Sequence, residues 1–114
     1  MEIGRIFTFD AAHYLPGYDG KCANVHGHTY RLGVNLEGKV NENGIVIDFA
    51  ELKSIVDAEV ISKLHETDLN ERFKMPTAEN IAVWIYNSLK EKLPGLKDVE
   101  LWETENCYVR YDGS

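Results

Sequence analysis

The chain has 114 residues and a formal charge of −7, with 44% apolar and 27% charged residues, three prolines and nine glycines. That is enough for one hydrophobic core and too ordered a composition for low complexity, while the acidic balance disfavours contact with phosphate backbones or anionic lipid. The first residues contain no basic segment followed by an apolar run, and no window approaches the roughly 18 apolar residues of a membrane span, so a cytoplasmic protein without nucleic acid or membrane partners is expected.

The run IGRIFTFDAAH alternates, with Phe7, Phe9, Ala11 and His13 on one side and Ile6, Thr8 and Asp10 on the other, which predicts a first strand. YLPGYDGK reads as a loop. From His26 the period of two returns: His26, His28, Tyr30, Leu32, Val34 and Leu36 share a face opposite Thr29, Arg31, Asn35 and Glu37. NENG at 41–44 predicts a turn, and IVID at 45–48 a short returning strand that completes a hairpin.

Asp48, three residues before Glu51, predicts a capping box at the start of a helix. Its apolar positions Phe49, Leu52, Val56, Val60 and Leu64 carry it to about Lys63. HETDLNERFKM is a connecting loop. Pro76 and Thr77 open a second helix with Ile81, Trp84, Ile85 and Leu89 in one stripe, and Pro94 and Gly95 end it. DVELWET and CYVRY supply two further strands, with Cys107 in the core; both Cys22 and Cys107 read as thiols. The expected whole is one α+β domain over residues 1–114, an antiparallel sheet with two helices on one face. Strand edges left open in so small a domain predict assembly with other copies.

Two of the four histidines flank Gly27 in the CANVHGHTYRL segment. Residues i and i+2 of a strand point the same way, so His26 and His28 can converge on one metal ion, and His13 can join them if the first two strands pair. Three imidazoles suit a catalytic zinc that keeps a fourth position open. Two other readings stand beside this one: a closed structural zinc with Cys22 as fourth ligand, and ordinary strand-end histidines. A thiol beside a cation deprotonates readily, which makes Cys22 a candidate nucleophile or base; the alternative is an inert, half-buried thiol.

The segments FTFDAAHYLPG, CANVHGHTYRL, GIVIDFAELK, PTAENIAVWIYNSL and WETENCYVRY, in that order, resemble the motifs of the 6-pyruvoyltetrahydropterin and 6-carboxytetrahydropterin synthase family. The resemblance covers nearly the whole chain. It implies a tunnelling fold whose sheets join into a barrel on oligomerisation, usually a homohexamer built from two trimers. It implies zinc held by His13, His26 and His28, Cys22 as the proton-moving cysteine, Glu103 as the anchor of the pterin ring, and Thr104 and Thr77 as pterin contacts. Thr77 is equally well explained as a helix N-cap.

One departure stands out. The family carries Asp-His after the leucine that ends the first helix, whereas this chain reads KLHETDLN, placing His65 where the aspartate belongs and Glu66 where the histidine belongs. The pair could still relay protons to Cys22, with Asp68 as a further orienting carboxylate, because a relay needs reach and pKa more than chain order.

The substrate implied by the resemblance is 7,8-dihydroneopterin triphosphate. The compact chain with CxxxHGH looks more like the carboxy enzyme of the deazapurine pathway (queuosine or archaeosine), which releases triphosphate and acetaldehyde. The alternatives are the pyruvoyl synthase and a zinc-dependent pterin binder with little turnover. A triphosphate needs local cations despite the acidic total, and the candidates are Lys21, Arg5, Arg31 and Lys74, or residues of a neighbouring subunit.

Overall fold

The computed structural model describes residues 1–114, the side chain of Lys21 excepted. Two twelve-residue strands, β1 (Glu2–His13) and β2 (His26–Glu37), pair antiparallel along their whole length, so that Phe7 faces Leu32, Phe9 faces Tyr30 and His13 faces His26. β4 (Leu96–Trp102) adds to the other side of β2, and β5 (Tyr108–Tyr111) adds to β4. The fifth strand, β3 (Thr67–Asp68), pairs with Ala11 and Ala12 of β1 in the parallel sense. The sheet order is β3-β1-β2-β4-β5, and the sheet is mixed rather than purely antiparallel as expected.

The alternation predicted for β1 and β2 decides which face is covered. Phe7, Phe9, Ala11, Tyr30, Leu32, Val34 and Leu36 are all buried, and Val99 and Leu101 of β4 extend the same face. Helix α1 (Phe49–Val56) runs through a π-helical stretch, Asp57–Ile61, into the short α2 (Ser62–Leu64). Its buried stripe is Leu52, Val56, Val60 and Leu64, spaced strictly by four. In a helix of 3.6 residues per turn each such step rotates the stripe by about 40°. The wider π turn takes up that drift and keeps all four side chains on the sheet. Helix α3 (Ala78–Leu89) lays Ala78, Ile81, Ala82, Ile85 and Leu89 on the same core, with Trp84 partly buried against Phe73 at its edge. No helix is long and apolar enough to cross a membrane.

The expected hairpin partner at residues 45–48 is not a strand. The Asn41 side-chain oxygen accepts from the N–H groups of Asn43 (2.8 Å) and Ile45 (3.3 Å), while Asn41 N–H donates to Ile45 O (2.8 Å). These local bonds use the backbone groups that a ladder would require. Asp48 is then committed to capping α1, its Oδ1 accepting from Ala50 N–H at 2.8 Å. Cys107, expected in the core, is exposed, because it lies in the β4–β5 connection ahead of β5.

Candidate functional site

His13 ends β1 and His26 begins β2, and their direct pairing brings the two rings to a centroid separation of 4.6 Å. His28 lies two residues along β2, its ring 5.1 Å from that of His13 and 4.8 Å from that of His26. The three histidines expected to converge therefore do so, at the covered end of the β1–β2 ladder. A fourth side chain joins them: Glu103, just beyond β4. One ligand atom from each of His13, His26, His28 and Glu103 lies within 4.8 Å of all the others. Cys22 is not in this group, so the donor set differs from the closed three-histidine, one-cysteine arrangement.

The outer nitrogens hold the rings in place. His13 Nδ1 lies 2.7 Å from Pro76 O, and His26 Nδ1 lies 2.6 Å from Asn24 O. A carbonyl can only accept, so each Nδ1 carries the hydrogen, and each neutral ring turns the Nε2 lone pair inward. These two Nε2 atoms are 3.1 Å apart. Two lone pairs facing each other at that distance repel unless a cation lies beside them. The third nitrogen sharpens the requirement: His28 Nε2 is buried and has no hydrogen-bond partner, although Glu103 Oε1 stands 3.0 Å away. Backbone carbonyls behind imidazole ligands, an orphaned inner nitrogen and a carboxylate aimed at the same point are what a divalent metal such as zinc needs. The residues fit the metal.

Charge follows the same logic. The carboxylate of Glu103 beside His13 raises the His13 pKa, against the opposing effect of burial, and Glu103 is held below the ordinary carboxylate range mainly by His13. Burial lowers the pKa of His28. Tyr30, fully buried beneath the rings with its hydroxyl 3.4 Å from His13 Nδ1, has its pKa pushed up by desolvation and by Glu103, so it stays a neutral phenol.

A cleft of about 380 Å³ opens beside the cluster, lined by His13, Leu15, Tyr18, Cys22, Thr77 and Glu103, among others. Its size lies within the range of small-molecule sites. Cys22 sits in the 3-10 turn Lys21–Ala23, and its carbonyl accepts from Leu15 N–H at 2.7 Å, which closes the loop between β1 and β2. Thr77 is both in the cleft and the N-cap of α3, with Oγ1 accepting from Asn80 N–H at 3.2 Å. Thr104 is exposed, and its Oγ1 accepts from Asn106 N–H at 3.3 Å.

The segment carrying the exchanged pair is placed elsewhere. Glu66 and Asp68 line a second cleft with Asp10, His28 and Thr29. His65 is pinned there by Asp10 N–H, which donates to its Nδ1 at 3.1 Å, while Glu66 N–H donates to Asp10 O at 2.6 Å. With Nδ1 accepting, a neutral His65 carries its hydrogen on Nε2, 3.4 Å from Glu66 Oε1. Asp68 caps the 3-10 turn Leu69–Glu71 through Asn70 N–H (3.0 Å). Within one chain, Cys22 and the segment from His65 to Asp68 thus belong to different clefts. Of the expected phosphate partners, Arg5 donates to Phe49 O and Arg31 lies over the Trp102 ring on the open face of the sheet.

Sequence reasoning missed Asn70, whose amide clamps the backbone of Tyr14 from both sides (2.9 Å each) and so fixes the chain just after His13. It also missed that Glu103 reaches the histidines. Neither has a local pattern that announces it.

Comparison with known proteins identifies the family. The model of the family described as 6-pyruvoyl tetrahydropterin synthase matches residues 2–114. The chain belongs to that family. It is 36% identical over 138 residues to a Haemophilus influenzae protein named 6-carboxy-5,6,7,8-tetrahydropterin synthase, covering 97% of this chain and 98% of that one. It is 41% identical over 99 residues to a Pyrococcus furiosus protein named dihydroneopterin monophosphate aldolase, covering 84% and 83%. Among solved structures, that of 6-pyruvoyl tetrahydropterin synthase from Caenorhabditis elegans superposes with a TM-score of 0.90 at 29% identity, covering all of this chain and 96% of that one.

Proposed function

We propose that this chain, a single cytoplasmic domain, is a zinc-dependent lyase of the carboxytetrahydropterin type. It converts 7,8-dihydroneopterin triphosphate to 6-carboxy-5,6,7,8-tetrahydropterin with loss of triphosphate and acetaldehyde, a step toward deazapurines. The observation that carries this reading is the convergence of three imidazole nitrogens in one cluster, beside a cleft that His13 and Glu103 of that cluster line together with a separate thiol, Cys22. Membership of the family and the name of the Haemophilus relative support it.

Zinc on His13, His26 and His28, when bound, polarises the hydroxyls of the substrate side chain and acidifies the adjoining C–H bonds. The protein's own residues do the rest. Cys22 faces the cleft outside the ligand group and is free to take and return protons at the side chain. Glu103 offers two oxygens to the amino group and ring N–H of a pterin, with Thr77 and Thr104 as further polar contacts. Leu15 and Met75 line the cleft and limit water. His65, Glu66 and Asp68 reach Cys22 from a neighbouring subunit, in a homohexamer of two trimers whose sheets form a barrel. The outer edge of β1 supports this assembly: β3 pairs it only at Ala11 and Ala12, which leaves its ladder groups from Glu2 onward available for another chain.

One observation favours a second reading. Among the described side chains the cleft lining carries Glu79 and Glu103 and no lysine or arginine, a poor match for three phosphates. A singly phosphorylated dihydroneopterin fits that charge better, and the Pyrococcus relative is named for such a substrate. Incubation of the zinc-loaded protein with each substrate separates the possibilities. The proposal expects acetaldehyde and carboxytetrahydropterin from the triphosphate. A pyruvoyl product, or glycolaldehyde phosphate from aldol cleavage of the monophosphate, would replace it, and tight pterin binding without turnover would mark a binder.

A further inference from the structure

Glu103 stands within ion-pair distance of both His13 and His28, yet makes no hydrogen bond to His28. Its main chain is fixed where β4 ends, with Glu103 N–H donating to Cys107 O at 3.0 Å, and its side chain extends to the histidines. Oε1 stands 3.0 Å from His28 Nε2 and 3.5 Å from His13 Nε2. The geometry at His28 is not that of a hydrogen bond, since that nitrogen has no partner. Donor atoms around a tetrahedral zinc with bonds of about 2.0–2.1 Å stand about 3.3 Å apart. The two Glu103 distances and the 3.1 Å between His13 Nε2 and His26 Nε2 bracket that spacing. Glu103 Oε1 thus lies at ligand spacing from two of the three imidazole nitrogens, and all four donor atoms lie within 4.8 Å of one another.

We infer that Glu103 is the fourth ligand of the resting metal and that it must release the metal before it can bind a pterin ring. The second half rests on the pterin reading above; the first does not. The same two oxygens cannot both close the metal's coordination sphere and face the amino group and ring N–H of a pterin. The site is thus capped by its own anchor, and the position a substrate hydroxyl takes opens when the ring draws Glu103 away. Metal and pterin ring compete for one carboxylate, so each weakens the binding of the other by the same factor.

The test uses the full-length protein, wild type and Glu103→Gln, which keeps the side-chain shape. Zinc affinity is measured by competition with a chromophoric chelator, and cobalt(II) is substituted for zinc to read coordination from its visible absorption. Glu103→Gln should weaken zinc binding at least tenfold and change the cobalt spectrum. Addition of pterin itself, which has no side-chain hydroxyls, should weaken zinc binding by the wild type and leave that of Glu103→Gln unmoved. Unchanged zinc affinity and an unchanged cobalt spectrum in Glu103→Gln overturn the ligand assignment. A weakened Glu103→Gln together with a wild type whose zinc affinity ignores bound pterin overturns the exchange alone. If pterin does not bind the wild type at all, the exchange and the pterin reading fall together, and the zinc comparison still decides the ligand assignment.

Discussion

His26→Gln separates metal binding from folding better than a change at either other histidine. His26 is only partly buried at the start of β2, and its outer nitrogen makes one hydrogen bond, to Asn24 O. Losing one such bond costs about 1 kcal/mol, or about 4 °C in the melting temperature of a domain this size. His13, by contrast, is 1% exposed and bonds Pro76 O, so its removal would damage the core as well as the site. Zinc sites contribute about 10–16 kcal/mol; divided among four donors this is about 3 kcal/mol each, a factor of about 100 or more in affinity. Chelator competition on His26→Gln should therefore show zinc binding about 100-fold weaker, while the metal-free protein melts within a few degrees of wild type. Cys22→Ser, which alters a group outside the ligand set, should stay within about threefold. If His26→Gln kept wild-type affinity, or if Cys22→Ser lost as much as His26→Gln, the reasoning would fail.

Cys22→Ala should abolish turnover while zinc and pterin still bind, as measured by metal content and fluorescence titration; residual turnover near wild type would remove Cys22 from the chemistry. Glu100 is paired with Arg110 (Nε at 3.2 Å) and accepts from Trp102 Nε1 (2.8 Å), with Arg110 the main cause that holds its pKa below the ordinary value. A depressed carboxylate pKa stabilises the fold above the unfolded-state value, and that contribution is lost as pH falls through the folded-state value. Glu100→Gln should thus lower stability by up to about 1 kcal/mol at pH 7, with the gap closing under acid, as read from denaturant titrations at both ends. Glu66 holds φ at 59°, a region that costs a side-chain-bearing residue about 1–2 kcal/mol. Glu66→Gly should accordingly raise the melting temperature by a few degrees, and should lower turnover if its carboxylate serves the relay.

Much of this was legible in the residues because it rests on alternation. The period of two through Phe7, Phe9, Ala11 and His13, and again from His26 to Leu36, fixes which face of β1 and β2 is covered, and the same parity aims three imidazoles at one point. The helix stripes were legible from their own period, except at Phe49, which stands in the first turn of α1 and is exposed rather than on the core. What was missed depends on bonds without a period. Asn41 turns residues 45–48 away from strand pairing through its own side chain, and β3 is two residues held to β1 next to the left-handed turn at Glu66. Cys107 has apolar and aromatic neighbours in sequence but lies outside the ladder that would bury it. Glu103 was readable as a ring anchor through family resemblance, yet its reach to His28 crosses strands 75 positions apart, which no local spacing encodes.

The most direct measurement is X-ray absorption at the zinc edge of the loaded, substrate-free protein. Three imidazole nitrogens at about 2.0–2.1 Å with one carboxylate oxygen at a similar distance is the expected shell, and a sulfur scatterer at about 2.3 Å or fewer than three imidazoles would contradict it.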